Sequence, residues 1–222
     1  MARSWKTLAI YRIMDREIER CARSYFPRGR LVDIGCGTKP HEAQVAPYVR
    51  EYVGVDREDP FNDAARVDLV GTAYAIPAPD ASFDAALSTA VLEHLEEPER
   101  ALRECARVLR PGGIALYTVP MIWHLHAEPY DYYRFTRYGL AYLFDKAGFD
   151  IVEITPMSGF WVTATTLFSY WAGRFHRGPL RLVPVIPLGC IAAQATALVV
   201  DRIDRAHGWT WMWTVVARRR EA

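Results

Sequence analysis

The chain has 222 residues, 51% of them hydrophobic, and 27 Lys plus Arg against 26 Asp plus Glu give a formal net charge of +1. That length and apolar content suffice for one large domain with a full core, and the balanced charge argues against nucleic acid as a partner. Four scattered cysteines suggest no disulfide framework and Met1–Lys6 has no apolar signal core, so a cytoplasmic protein is expected.

Leu8, Tyr11, Met14, Ile18, Cys21, Ala22 and Tyr25 recur at helical spacing and predict an amphipathic helix over 6–25, an entry segment placed over the site. Leu31-Val32-Asp33-Ile34 reads as an apolar strand that breaks into Gly35-Cys36-Gly37-Thr38-Lys39-Pro40. A second strand, Val53-Gly54-Val55, ends in Asp56. Glycines at the carboxyl end of a parallel strand let the backbone approach a ligand closely, and an acid ending the next strand can accept from both ribose hydroxyls. A nucleoside ligand is the expectation. A dinucleotide fingerprint needs a third glycine where Pro40 stands, which disfavours pyrophosphate.

Farther along, Phe83–Ser88 predicts a strand, 98–109 a helix, Arg110-Pro111-Gly112-Gly113 a stop, and 114–120 the next strand. Thr136 is the candidate N-cap of a helix over 137–147 that ends at Gly148. The last two strands fall at 149–154 and 209–217, the latter with alternating tryptophans. Strands alternating with helices imply a parallel sheet covered on both faces. Between the last two strands, 154–173 and 182–200 carry no charged residue, while Arg174, Arg177 and Arg181 lie between the two runs. Each run approaches the length that spans a bilayer, about twenty residues. Pro156, Pro184, Pro187 and Gln194 interrupt them, however, and the flanking strands must pair within one sheet. Buried or dimer-forming helices are therefore expected. The alternative is a cap over an apolar acceptor or a peripheral membrane contact through 154–200.

The glycine turn with Asp33 ahead of it resembles motif I of the class I S-adenosylmethionine-dependent methyltransferases. Ala81-Ser82-Phe83-Asp84, Val91-Leu92-Glu93-His94-Leu95 and Arg107-Val108-Leu109-Arg110-Pro111-Gly112-Gly113 are similar to further blocks of the group that modifies small molecules, lipids, quinones and glycans. The resemblance implies an α/β fold: a Rossmann-like, seven-stranded, mostly parallel sheet with helices on both faces, plus an apolar helical insertion before the last strand. One domain over 1–222 is expected, with an entry segment at 1–29, a cofactor-binding core at 30–153, the insertion at 154–207 and the final strand at 208–218. It implies S-adenosyl-L-methionine as cofactor. Gly35 and Gly37 would then line its amino-acid and sulfonium end, Asp33 would orient the turn or the ammonium, and Asp56 would grip the ribose. Ser88 to Ala90 would border the methionine portion, and His94 would sit near the pocket. Thr72 and Ala73 fall where relatives often place an acid for the adenine amino group, and Asp68 lies close by in sequence.

For the acceptor, Ser88-Thr89-Ala90-Val91 replaces the Asn/Asp-Pro-Pro-Tyr loop of many nucleobase and glutamine enzymes. No cysteine follows a proline as in cytosine C5 enzymes. The segment after the fifth strand, from His126 to Thr136, resembles a stretch of bacterial methyltransferases often associated with cell-envelope or polysaccharide pathways. A hydroxyl acceptor must lose its proton, and an imidazole suits that task. His126 is the first candidate base, Asp131 its orienting partner and His124 the next candidate; the alternative is that these groups merely tie down a loop. Tyr132, Tyr133 and Arg134 are candidate acceptor contacts. No metal is expected, because His124-x-His126 with Glu128 lacks a complete ligand set. The expected function is methyl transfer, to oxygen first of all, on a small-molecule, glycan or lipid-linked acceptor. Peripheral membrane contact and homodimerisation remain open. The rival is a non-catalytic protein that keeps the fold for interaction or regulation.

Overall fold

The computed structural model describes residues 4–57, 66–181, 183–204 and 206–221. The run Leu31 to Ile34 is buried from end to end, as befits an interior parallel strand flanked by neighbours on both edges and layers on both faces. This strand, β1 (Arg30–Ile34), pairs in parallel with β2 (Glu51–Asp56) on one side and β4 (Phe83–Thr89) on the other. The register sets Val32 beside Val53 and Ala86, so both strands that flank the glycine turn end at the same height.

With β3 (Leu69–Val70), β5 (Leu109–Pro120), β6 (Phe149–Pro156) and β7 (Met212–Arg219), the sheet runs β3-β2-β1-β4-β5-β7-β6. Among the described residues, β7 alone runs antiparallel to its neighbours, which it enters between β5 and β6. Seven mostly parallel strands are what the motifs imply. Side chains alternate across the faces. Val32, Val53 and Ala86 pack with Leu102 and Cys105 of α3 (Pro98–Val108) and with Phe144 of α4 (Arg137–Lys146). On the other face Leu31, Ala85 and Leu87 pack with Ile18, Cys21 and Ala22 of α1 (Leu8–Tyr25). A four-residue helix, α2 (Glu42–Val45), follows the glycine turn. Thr136 caps α4 as expected, its hydroxyl accepting from Gly139 N at 3.1 Å.

Two local expectations are corrected. Arg110-Pro111-Gly112-Gly113 does not stop the chain between elements but lies inside β5, where a register shift between Phe83 and Ala85 absorbs it as an irregularity and Gly112 takes φ +75°. The last strand does not start at Trp209 either; it runs from Met212 to Arg219. Met212 to Ala217 are all buried, because β7 has strands on both edges and packed layers above and below; Trp209 precedes the strand and is exposed.

Between β6 and β7 the chain forms α5 (Phe160–Ala172) and α6 (Val185–Asp204), packed side by side. Their inner faces carry small and polar groups that are tied to the N-terminal segment. Gln194 donates to Trp5 O at 3.0 Å and to Ser169 Oγ at 3.1 Å, and accepts from Ala9 N at 3.2 Å. Asp201 of α6 accepts from Gly159 N at 2.8 Å and Trp161 N at 2.9 Å, satisfying amides at the start of α5. The outer faces stay exposed and apolar, with Trp161, Phe168 and Trp171 on α5 and Val185, Leu188, Val199 and Ile203 on α6. By length and composition alone, α6 is apolar enough to cross a membrane.

Candidate active site

The glycine turn leaves β1 in the left-handed region, Gly35 at φ +74° and Gly37 at φ +50°. Gly35 N and Cys36 N both donate to Val55 O, at 2.9 and 3.2 Å, which staples the turn to the end of β2. A Cβ on Gly35 would lie 2.6 Å from Val91, so this position is a cradle that a side chain would fill. Asp56 ends β2 as expected, accepting from Gly37 N at 2.7 Å and Arg57 N at 2.8 Å.

A cleft of about 450 Å³ opens over this turn, lined by Gly35, Asp56, Thr72, Ala73, Val91 and His94 among others. A second, of about 540 Å³, lies beside it, walled by Ile10, Tyr11 and Met14 of α1, Thr89 and Ala90 after β4, Trp123 and His126 after β5, and Trp211 and Met212 at β7. His94 and Ala127 line both. The two chambers therefore meet at one wall. α1 borders the second chamber, not the first.

Asp33 lies beneath the turn, 3% exposed, and lines neither chamber. Tyr52 Oη donates to its Oδ2 at 2.5 Å, while Oδ1 is buried with no hydrogen-bond partner among the described residues. Burial pushes its carboxyl up to about 7, against the opposing pull of the Tyr52 hydrogen bond and the Lys39 charge. Asp33 therefore supports the turn from below, and it is the bare backbone at Gly35, with Asp56 at the chamber edge, that suits a nucleoside cofactor with no phosphate. Asp68 is engaged elsewhere, accepting from Lys39 Nζ at 2.5 Å and Gly54 N at 2.6 Å. Thr72 and Ala73, with Gly71 and Tyr74 on either side, line the first chamber.

Ser88 does not face the site. Its hydroxyl is buried and donates to Ile34 O at 3.0 Å, clamping β4 to β1, and the chain first reaches the second chamber at Thr89 and Ala90. Arg134 is likewise turned inward. Its guanidinium donates to both carboxylate oxygens of Asp131 at 2.8 Å and to His124 O at 2.9 Å, so it brackets the loop and contacts neither chamber. His124 lines neither chamber, its ring lying 4.4 Å from Tyr170 and 4.8 Å from Trp123 between centroids. Tyr132 faces the nucleoside chamber and donates to Glu96 at 2.8 Å; Tyr133 lines neither and donates to Glu96 O at 3.0 Å.

His126 and Asp131 do come together. His126 N donates to Asp131 Oδ2 at 2.9 Å, and Nδ1 lies 3.4 Å from the same oxygen and 3.4 Å from Arg134 Nη2. The Arg134 pair holds the Asp131 carboxyl well below the usual range, so it stays ionised, while burial lowers the His126 imidazole. Sequence reasoning missed the residue opposite them. Glu93 is 0% exposed, with neither carboxylate oxygen hydrogen-bonded among the described residues, and burial raises its carboxyl to about 8. Its neighbour His94 is fixed by Nδ1 donating to Tyr130 O at 2.6 Å. An acid set among Val91, Leu92 and Leu95 was the available signal, since an apolar frame predicts a buried carboxyl.

The sheet order and the paired chambers at the carboxyl ends of its strands define the class I methyltransferase architecture. Residues 32–117 match the family model of a methyltransferase domain. A probable S-adenosylmethionine-dependent methyltransferase of Mycolicibacterium smegmatis is 33% identical over 115 residues, covering 49% of this chain and 42% of that protein. One of Mycobacterium tuberculosis is 32% identical over 96 residues, covering 40% and 35%. The matched stretch thus spans less than half the length of these relatives. Among solved structures, the [4+2]-cyclase SpnF has a TM-score of 0.64 at 25% identity, covering 94% of this chain and 81% of that one. A Thermotoga maritima methyltransferase described as a possible histamine N-methyltransferase has a TM-score of 0.52 at 26% identity, covering 67% and 75%. Residues 32–117 thus match a methyltransferase domain, the whole chain has the fold of such enzymes, and the relatives that share the matched stretch are named for S-adenosylmethionine as their cofactor.

Proposed function

We propose that the protein transfers the methyl group of S-adenosylmethionine to an acceptor oxygen in the second chamber. The observation that carries this reading is the shared wall at His94 and Ala127. A cofactor with its ribose at Asp56 and its amino-acid end over Gly35 would bring its sulfonium toward that wall. In the transfer, the acceptor oxygen forms the new bond to carbon as the carbon–sulfur bond breaks, and the electron pair stays on sulfur as a neutral thioether. Alignment of the reacting atoms supplies much of the rate. The acceptor hydroxyl is activated where Glu93, His94 and His126 line the chamber.

Within the acceptor classes expected, a lipid-linked substrate is favoured by the neighbourhood of the chamber. Tyr170 of α5 packs edge-on against Trp123, 5.3 Å between ring centroids, so the chamber wall is continuous with the helix pair that exposes its apolar face. The protein would then work as a cytoplasmic enzyme resting on a membrane, with Arg174 and Arg177 toward anionic headgroups. The second reading is a protein that keeps the fold for a role other than methyl transfer, in line with a fold neighbour that is named a cyclase. Calorimetric titration with S-adenosylmethionine, followed by transfer of labelled methyl to extracted polar lipids and glycans, separates the two. Label incorporation that falls at least tenfold in His126→Ala with cofactor binding intact is expected. Tight binding without transfer to any extract favours the cyclase-like alternative.

A further inference from the structure

We propose that Glu93, His94 and His126 bind a divalent transition-metal ion at the wall between the chambers, with open coordination positions toward the acceptor. Their donor atoms, one per residue, lie within 4.8 Å of one another. His94 Nε2 and His126 Nε2 each stand 3.9 Å from the same oxygen, Glu93 Oε1. That distance is too long for a hydrogen bond. The three groups face one another across a gap that none of them closes.

The other nitrogen of each ring shows why the gap suits a cation. His94 Nδ1 donates to the Tyr130 carbonyl, so in the neutral ring Nε2 carries the lone pair. Asp131 Oδ2 and Arg134 Nη2 both stand 3.4 Å from Nδ1 of His126; metallation at Nε2 would put the ring proton on Nδ1, where Asp131 would accept its hydrogen bond in place of the contact with Arg134. Asp131 Oδ1 is also 4.0 Å from His94 Nδ1. A carboxylate or carbonyl behind each ligating imidazole is the usual outer support of a metal site, and Arg134 holds this carboxylate in place. Glu93 supplies an independent pointer. A wholly buried carboxylate with neither oxygen paired among the described residues needs a proton or a cation, and one of its oxygens lies 3.9 Å from each of two imidazoles.

Two histidines and one carboxylate on one side of an ion select first-row transition metals over calcium or magnesium. Ligand atoms about 2.1 Å from such an ion lie roughly 3 to 3.4 Å apart, so the side chains must close inward by about 1 Å. All three line the second chamber, where the remaining positions would face. Resting on the methyl-transfer reading, the ion would bind the acceptor hydroxyl, lower its pKa and release its proton to solvent without a protein base. The favoured acceptor then carries a second oxygen beside the methylated one, as in a vicinal diol or a hydroxy-acid.

The test uses full-length protein without a histidine tag, stripped with chelator and titrated with cobalt(II) while the visible absorption is followed. One cobalt per chain is expected, with ligand-field bands that shift when a vicinal diol is added. Glu93→Gln and His126→Ala each abolish the bands, and Asp131→Asn weakens binding roughly 10- to 100-fold. S-adenosylmethionine titration of the same samples reports the fold and the cofactor site separately. Wild-type protein that binds the cofactor but no cobalt overturns the metal proposal and leaves methyl transfer standing. Cobalt binding equal in wild type and both ligand variants overturns it as well, because the ion then sits elsewhere.

Discussion

Gly35→Ala would put a methyl group where two separate costs arise. The backbone there stands at φ +74°, and an L-residue in that region costs about 1–2 kcal/mol. The new Cβ would also lie 2.6 Å from Val91 Cγ2 and 3.0 Å from Cγ1, well inside the ~3.5–4.0 Å at which carbon atoms rest. Val91 must move, and overpacking of this kind costs about 1–3 kcal/mol. The sum is a loss of about 2–5 kcal/mol of stability. Gly37→Ala is the internal control, since Gly37 stands at φ +50° but has nothing within 4 Å of a built Cβ. It bears only the backbone cost, about 1–2 kcal/mol. Urea unfolding of the cofactor-free proteins, followed by tryptophan fluorescence, measures both. The difference between the variants isolates the Val91 contact. Because Gly35 and Val91 both line the nucleoside chamber, Gly35→Ala should also weaken S-adenosylmethionine in calorimetry. Equal destabilisation by the two substitutions would refute the reasoning, for Val91 would then yield without cost.

Asp33 makes stability depend on pH. Its carboxyl sits at about 7 against an ordinary 3.8, so the folded state holds a proton that the unfolded state releases. That stability is present in full below about pH 4 and lost as pH rises to about 7, on the order of 2–4 kcal/mol in all. Asp33→Asn should remove this slope, and denaturant melts of both proteins from pH 4.5 to 8 that stay parallel would contradict it. Asp56→Ala should weaken S-adenosylmethionine roughly 10- to 100-fold, in line with hydrogen bonds to a charged acceptor at about 1.5–3 kcal/mol, and an unchanged titration would remove Asp56 from the ribose. Wild-type protein should float with anionic liposomes in low salt, and Trp171→Ser with Leu188→Ser should sink; a wild type that never floats, running as a dimer on gel filtration, would assign the apolar face to a second copy.

The strand and helix order was legible because apolar periodicity and glycine punctuation are local signals, and the turn at Gly35 with Asp56 after it stood out for the same reason. Side-chain direction in the loops was not. Arg134 reads like a substrate contact by its charge, yet the carbonyl of His124 and the Asp131 carboxylate draw it inward. Ser88 looks poised at a strand end, but an even position on β4 turns it toward Ile34. Glu93 was hidden by its neighbour. It stands 3.9 Å from His126, which lies 33 positions away and comes near it because β4 and β5 run side by side in parallel.

The two chambers have different origins along the chain. Asp56, Thr72, Ala73 and Val91 of the first fall within 32–117, whereas Ile10, Met14, Trp123, Trp211 and Met212 of the second fall outside it. The division is partial, since Ala127, Tyr130 and Tyr132 of the first lie outside that segment and Glu93 and His94 of the second inside it, but much of the second wall can change without touching the first. On the proposed reading, relatives that share the matched segment would keep one methyl donor while differing in what they modify, and grafting 118–126 and 206–212 between them would test that division.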